Sequence, residues 1–149
     1  MRAVVQTVTD ASIVADDTLT GGIDRGLLVY LGVKQSDTDT DVRYTVDKIA
    51  NLRVFRDANG KMNVSALELG LPALVVSQFT LYGDTRKGRR PSYNDAAEPD
   101  IAVKLYERFV ELFRAYGVRV ETGRFQASMR VKYVNDGPVT ILIDSEKKF

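Results

Sequence analysis

LLVYLGV, residues 27–33, is a continuous apolar run with no charged residue. A strand with one wet face alternates apolar and polar positions, whereas a strand covered on both faces reads as an unbroken run. This stretch is therefore read as a buried central strand, and the chain is built outward from it. Upstream, residues 2–9 and 11–16 read as two β segments, with alternation around Val4, Gln6 and Val8, and Gly21-Gly22 supplies a turn. Downstream, TDTDVRYTVDKIANLR (38–53) predicts a first helix, with Thr and Asp as cap candidates and Val42, Val46, Ile49 and Ala50 on one face.

Val54-Phe55 and Met62–Val64 flank Asn59-Gly60, a strong hairpin-turn signal. Residues 74–81 read as another buried strand. A second helix follows: Pro99 suits its first turn, Gly117 its end, and Ile101, Leu105, Phe109, Val110 and Phe113 share a face. Segments 118–125, 128–134 and 138–144 read as three closing strands. No repeat, linker or low-complexity block interrupts the chain. The fold expected is one α+β domain over residues 1–149, a mixed and strongly curved sheet flanked by two helices.

At 149 residues the chain fits one domain that buries about 70% of its unfolded surface. Apolar residues make up 44%, charged residues 28%, and the net charge is only +1, so attraction to a polyanion must come from local patches. The chain has no cysteine and no histidine. Disulfides, thiolate nucleophiles and thiolate metal sites are excluded, and so is a Ser-His-Asp triad. A hydrolase of this composition works through backbone dipoles, carboxylates, a lysine or groups of its substrate. The N-terminal stretch lacks the apolar core of a signal peptide, and no run approaches the roughly 20 residues that span a bilayer. A cytosolic location is expected.

Four constellations carry possible chemistry, each with an ordinary structural reading beside it. Ser77, Gln78 and Thr80 crowd a strand end, where small polar residues commonly just cap an edge. Alternation would put Ser77, Phe79 and Leu81 on one face and Gln78 and Thr80 on the other. Arg86, Lys87, Arg89 and Arg90 follow at once, either a solvated loop or a binding loop carried by a rigid scaffold. Phe125 and Met129 are core by default, although an aromatic and a thioether also make an adaptable pocket wall. Gly137-Pro138, within NDGPVT (135–140), reads as a turn whose isomer pattern alone assigns to trans.

Together, in this order, these stretches resemble one family: the D-aminoacyl-tRNA deacylases, also called D-tyrosyl-tRNA deacylases. The resemblance is carried by SQFTL (77–81) with DTRKGRRPSY after it, TGRFQASM (122–129), NDGPVT (135–140), VVQTVTDASI near the start and LGV (31–33). It implies a homodimer that frees tRNA from a D-amino acid, or from glycine mischarged on tRNA-Ala, by hydrolysing the ester at the 3′ end. No cofactor or metal is implied. It also implies an active site at the dimer interface, where SQFTL of one subunit faces a cis Gly137-Pro138 of the other. The two carbonyls of that motif would point into the pocket and reject an L side chain.

The remaining roles follow from the same resemblance. Gln78, Phe79 and Thr80 are the catalytic candidates, with the N–H groups of Phe79 and Thr80 donating to the tetrahedral oxyanion. A water activated by the 2′-hydroxyl of the terminal adenosine is the expected nucleophile, a route consistent with the missing histidine. Ser77, Phe125 and Met129 would hold adenine and the aminoacyl end, and Lys87, Arg89 and Arg90 would meet tRNA phosphates. The chain departs from the family at Thr7, where members usually carry an arginine that braces the Gly-Pro motif, and at Gln126, usually a small residue. Three rival readings are a Ser/Thr esterase with Ser77 or Thr80 as nucleophile and Lys87 as base, a non-catalytic RNA-binding dimer, and an editing module like that of archaeal threonyl-tRNA synthetases. The last fits poorly with the free-standing length and NDGPVT.

Overall fold

In the computed structural model, which describes residues 1–149, β1 (Arg2–Ala15) and β2 (Thr18–Gly32) form a long antiparallel hairpin. Its turn is Asp16-Asp17, both with positive φ (46° and 61°), the backbone that lets a tight hairpin keep the right-handed twist of its strands. Gly21-Gly22, expected at a turn, lies instead inside β2, opposite Ile13 and Ser12. Its smallness serves a close approach: a Cβ on Gly21 would stand 2.7 Å from the carbonyl oxygen of Thr122.

Residues 2–9 and 11–16 are likewise one strand, not two, bulged near Asp10 (φ 50°). Against β7 (Met129–Asp144) the register shifts between Thr9 and Ser12, so β1 carries an extra residue there. The bulge reverses the parity of burial. Ala3 and Val5 enter the larger core, whereas Ala11 and Ile13, also odd-numbered, enter the smaller one.

The opening stretch behaves as read. Leu27, Val29, Leu31 and Val33 point into the larger core and Leu28 into the smaller, so β2 is covered on both faces. It pairs antiparallel with β1 on one side and parallel with β5 (Ala73–Ser77) on the other. Parallel neighbours need a crossover. The first carries α1 (Asp39–Ala50), whose start is fixed by the Asp41 carboxylate accepting the Thr38 N–H at 2.8 Å. It also carries the small hairpin of β3 (Phe55–Arg56) and β4 (Met62–Val64), which turns at Asn59-Gly60.

The second crossover carries α2 (Pro99–Ala115) to β6 (Val120–Thr122), shorter than the expected 118–125. The buried stripe of α2 is Tyr106, Phe109, Val110 and Phe113, while Ile101 remains 37% exposed. Truncating Phe109 or Phe113, both fully buried, would cost ~3–5 kcal/mol. The sheet order is β6-β5-β2-β1-β7, a mixed five-stranded sheet with α1 and α2 joined to its larger core.

Two departures shape the site. β5 stops at Ser77 and not at Leu81, because its partner β2 ends at Gly32 and leaves no strand to pair with. Gln78 makes the last ladder bond, to the Leu31 carbonyl at 2.8 Å, and Phe79–Tyr82 then winds into a single 3-10 turn. Segments 128–134 and 138–144 run as one strand, β7, whose pairing jumps from Gln6–Thr140 to Val8–Asn135. Residues 136–139 therefore loop out of the ladder opposite Thr7.

Candidate active site

The turn after β5 forms one wall of a cavity of about 500 Å³. Ser77, Gln78 and Phe79 line it, and so do Phe125 and Gln126 from the segment between β6 and β7 and Met129 at the start of β7. Met129 reaches in over Gly123, where a Cβ would stand 2.5 Å from its sulfur. Neither Phe125 nor Met129 is fully buried; each lies at the margin of a core cluster. The alternation expected across Ser77–Leu81 breaks with the strand. Gln78 and Thr80 face each other, the Gln78 amide donating to the Thr80 hydroxyl, and Thr80 itself does not line the cavity.

The backbone of the turn is the more telling part. Its internal bonds begin with Leu81 N–H to the Gln78 carbonyl and Gly83 N–H to the Thr80 carbonyl. The N–H groups of Phe79 and Thr80 precede them and, like the first donors of any helical turn, take no part in these bonds. The Phe79 ring is 56% exposed and meets Tyr93 edge-on at 5.0 Å. In the cavity wall, the Tyr106 ring centre stands 5.9 Å from that of Phe125, and its hydroxyl donates to the Val75 carbonyl at 2.9 Å. Burial pushes its phenol well above the ordinary range, so it is a neutral wall. No group of three His, Cys, Asp or Glu side chains is placed to hold a metal ion.

The turn is also tied from outside the cavity. Arg2 Nη1 donates to the Leu81 carbonyl at 3.1 Å, Nε to Asp144 Oδ2 at 2.9 Å, and its guanidinium carbon lies 4.7 Å from the centre of the Tyr82 ring.

Gly137-Pro138 is cis, with Gly137 at φ 116°. Its loop is held by the strand it bulges from. The buried Thr7 hydroxyl donates to the Asp136 carbonyl, and Asn135 Nδ2 donates to the carbonyls of Thr7 (2.9 Å) and Val139 (3.0 Å). Gln6 Nε2 reaches Thr140 Oγ1 at 2.9 Å and Asn135 Oδ1 at 3.3 Å. The loop is thus tied at Thr7 by one hydroxyl and two amides. Within one chain this loop does not meet Ser77–Leu81, since β2 and β1 stand between β5 and β7.

The basic loop folds back on itself through a bridge between Asp84 and Ser92. Arg86 is committed to Asp84, at 2.9 Å and 2.7 Å, and this pairing holds the Asp84 carboxyl down at about 2. Lys87, Arg89 and Arg90 are exposed and take no part in any ion pair, so three cations of the run stay available. None lines the cavity.

Several lining residues escaped the sequence reading: Leu31, Val33, Tyr93, Ala96, Ala97, Glu98, Ala102 and Tyr106. Their only local signal was helix and strand periodicity, which marks Leu31 as part of a buried strand and says nothing of a cavity.

The family described as D-Tyr-tRNA(Tyr) deacylase matches residues 4–144. Proteins named D-aminoacyl-tRNA deacylase from Fervidobacterium nodosum and Thermotoga petrophila are 56% and 55% identical over 149 residues, each pair covered completely. A solved structure of a c-Myc DNA Unwinding Element Binding Protein is 39% identical, with TM-score 0.91 over 97% of this chain and 98% of its own. That of a probable eukaryotic D-amino acid tRNA deacylase, 21% identical over 95% and 97%, shares the fold at TM-score 0.85.

Proposed function

The chain belongs to the D-Tyr-tRNA(Tyr) deacylase family, and on that footing we propose how its residues carry out the hydrolysis of D-aminoacyl-tRNA. The observation that carries the reading is the 3-10 turn after β5, which begins at the wall of a largely apolar cavity with Phe79 and leaves the N–H groups of Phe79 and Thr80 outside its own bonds. The 3′-terminal adenosine and the aminoacyl group occupy that cavity against Ser77, Phe125 and Met129. The ester carbonyl oxygen lies toward Phe79 and Thr80.

Water adds to the carbonyl carbon, its proton passing to the 2′-hydroxyl of the terminal ribose as that group's proton moves on to the leaving 3′-oxygen. The C–O bond to the 3′-oxygen then breaks, giving free amino acid and tRNA. The Phe79 and Thr80 N–H groups stabilise the oxyanion, a contribution of ~2.7–4 kcal/mol per donor. Gln78 and Thr80, bonded to each other, fix the turn. Lys87, Arg89 and Arg90 attract tRNA phosphates.

Chirality is assigned to Gly137-Pro138 of a second copy. β7 is an edge strand with Val134 and Leu142 more than half exposed, 55% and 56%, a surface suited to burial in a homodimer. The loop then reaches the partner's Ser77–Leu81, and its backbone occupies the space an L side chain would need. A filter built from backbone is blind to side-chain identity and admits glycine, so glycyl-tRNA-Ala is a substrate too.

Deacylation of matched D-, L- and glycyl-tRNA by the purified protein tests this. Rapid release from D and glycine and protection of L are expected, with activity lost when the terminal 2′-hydroxyl is replaced by hydrogen. A fully active 2′-deoxy substrate would sink the relay through the ribose. Equal rates on L and D would remove the chiral filter.

A further inference from the structure

We infer that Arg2 is a positioning residue for the catalytic turn, acting through the Leu81 carbonyl and the Tyr82 ring. The inference rests on the reading above, in which the N–H groups of Phe79 and Thr80 stabilise the oxyanion.

A turn of four residues has little of its own to hold it. Phe79–Tyr82 has just left the ladder, Phe79 and Thr80 are exposed, and its direct anchors are the Leu31 carbonyl and the buried Tyr82 ring. Arg2 adds another from the start of the chain. Its guanidinium is forked: Nε is spent on Asp144 and Nη1 on the carbonyl of Leu81. A planar fork holds both acceptors on two separate nitrogens in one fixed geometry, where a lysine offers a single flexible point charge. The plane also stands over Tyr82, adding a cation–π contact.

Asp144 makes the fork rigid. Its side chain is 1% exposed, against 29% for Arg2, and its second oxygen accepts the Glu146 N–H at 2.7 Å. The carboxylate therefore has no freedom to swing, and it fixes the direction in which Nη1 points. Asp144 is also the last residue of β7, the strand that carries Gly137-Pro138. Arg2 thus joins, within one protomer, the strand bearing the chiral loop to the turn bearing the oxyanion donors. Leu81 is two residues from Phe79, so a shift of its carbonyl turns the peptide groups before it. Small misplacements of reacting groups are expensive, about 100-fold in rate for 1 Å.

Two substitutions separate positioning from stability. Arg2→Lys keeps a cation for the buried Asp144 but loses the two-nitrogen fork that holds Asp144 and Leu81 in one fixed geometry. Arg2→Met keeps the apolar stem and strands the carboxylate, which should lower the melting temperature. With D-tyrosyl-tRNA, measured well below the melting point of each variant, Arg2→Lys should melt close to the parent and keep its KM. Its kcat should fall about tenfold or more. Arg2→Lys at full kcat, or with a changed KM alone, overturns the inference. Phe79→Pro is the control for the underlying reading, since it deletes one donor at a turn position that suits proline. If that variant keeps full kcat, the oxyanion reading falls. If it is inactive while Arg2→Lys is fully active, only the role of Arg2 falls.

Discussion

Thr7 is 4% exposed, and its hydroxyl is spent on the carbonyl of Asp136, one residue before Gly137. Thr7→Val would keep the shape and delete the donor, leaving a carbonyl short of a partner at a cost of ~1–3 kcal/mol. If this hydrogen bond aims the loop, selectivity suffers before rate does. The ratio of D to L deacylation should drop about tenfold, equivalent to ~1.4 kcal/mol of discrimination. The rate on D-tyrosyl-tRNA should change far less, and Thr7→Ser should restore the ratio. An unchanged ratio in Thr7→Val would mean that the side chain only fills space. The sequence marks Thr7 as a departure from the family, and it stops there. What replaces the missing brace depends on a partner 129 residues away, brought opposite by an offset in pairing that no local pattern encodes.

At the scale of elements, the basic loop is the segment whose role is easiest to break. Removing Lys87, Arg89 and Arg90 together should weaken tRNA binding and flatten the slope of log affinity against log salt by about 0.7–0.9 for each phosphate no longer neutralised. Asp84→Asn should do the reverse, since it releases Arg86 to join the other three, and a steeper slope is expected. The pairing has a defined acid limit. Arg86 holds the Asp84 carboxyl at about 2, below its ordinary 3.8. A depressed carboxylate favours the folded loop above its unfolded value and loses that contribution as pH falls through about 2, so the Asp84 carboxyl resonance should titrate there. Elements were legible where one chain segment decides them: the buried run at 27–33, the Asn59-Gly60 hairpin, the second helix. They were misread where a neighbour decides. Gly21 is glycine because a Cβ there would stand 2.7 Å from a carbonyl oxygen of β6, and the strand before Gln78 ends because β2 has ended.

For the whole molecule, the arrangement of one chain leaves the turn and the Gly137-Pro138 loop two strands apart, so a site using both needs two chains. Placing Glu at both Val134 and Leu142 puts charges on the exposed face of the edge strand. Sedimentation should then report a folded monomer, and deacylation should vanish with the dimer. A monomer that retains full activity would show each chain to be self-sufficient. The same sheet order has a consequence for synthesis. β1 sits between β2, which follows it directly, and β7, whose residue Asp144 meets Arg2 across 142 positions. On the ribosome one side of β1 is zipped almost at once, while the other keeps a row of open amides and carbonyls until β7 emerges. At ~5–20 residues per second that wait lasts seconds, and nascent chains on one message carry the same open edge side by side. Chaperone capture during translation should therefore concentrate on β1 and end when β7 arrives.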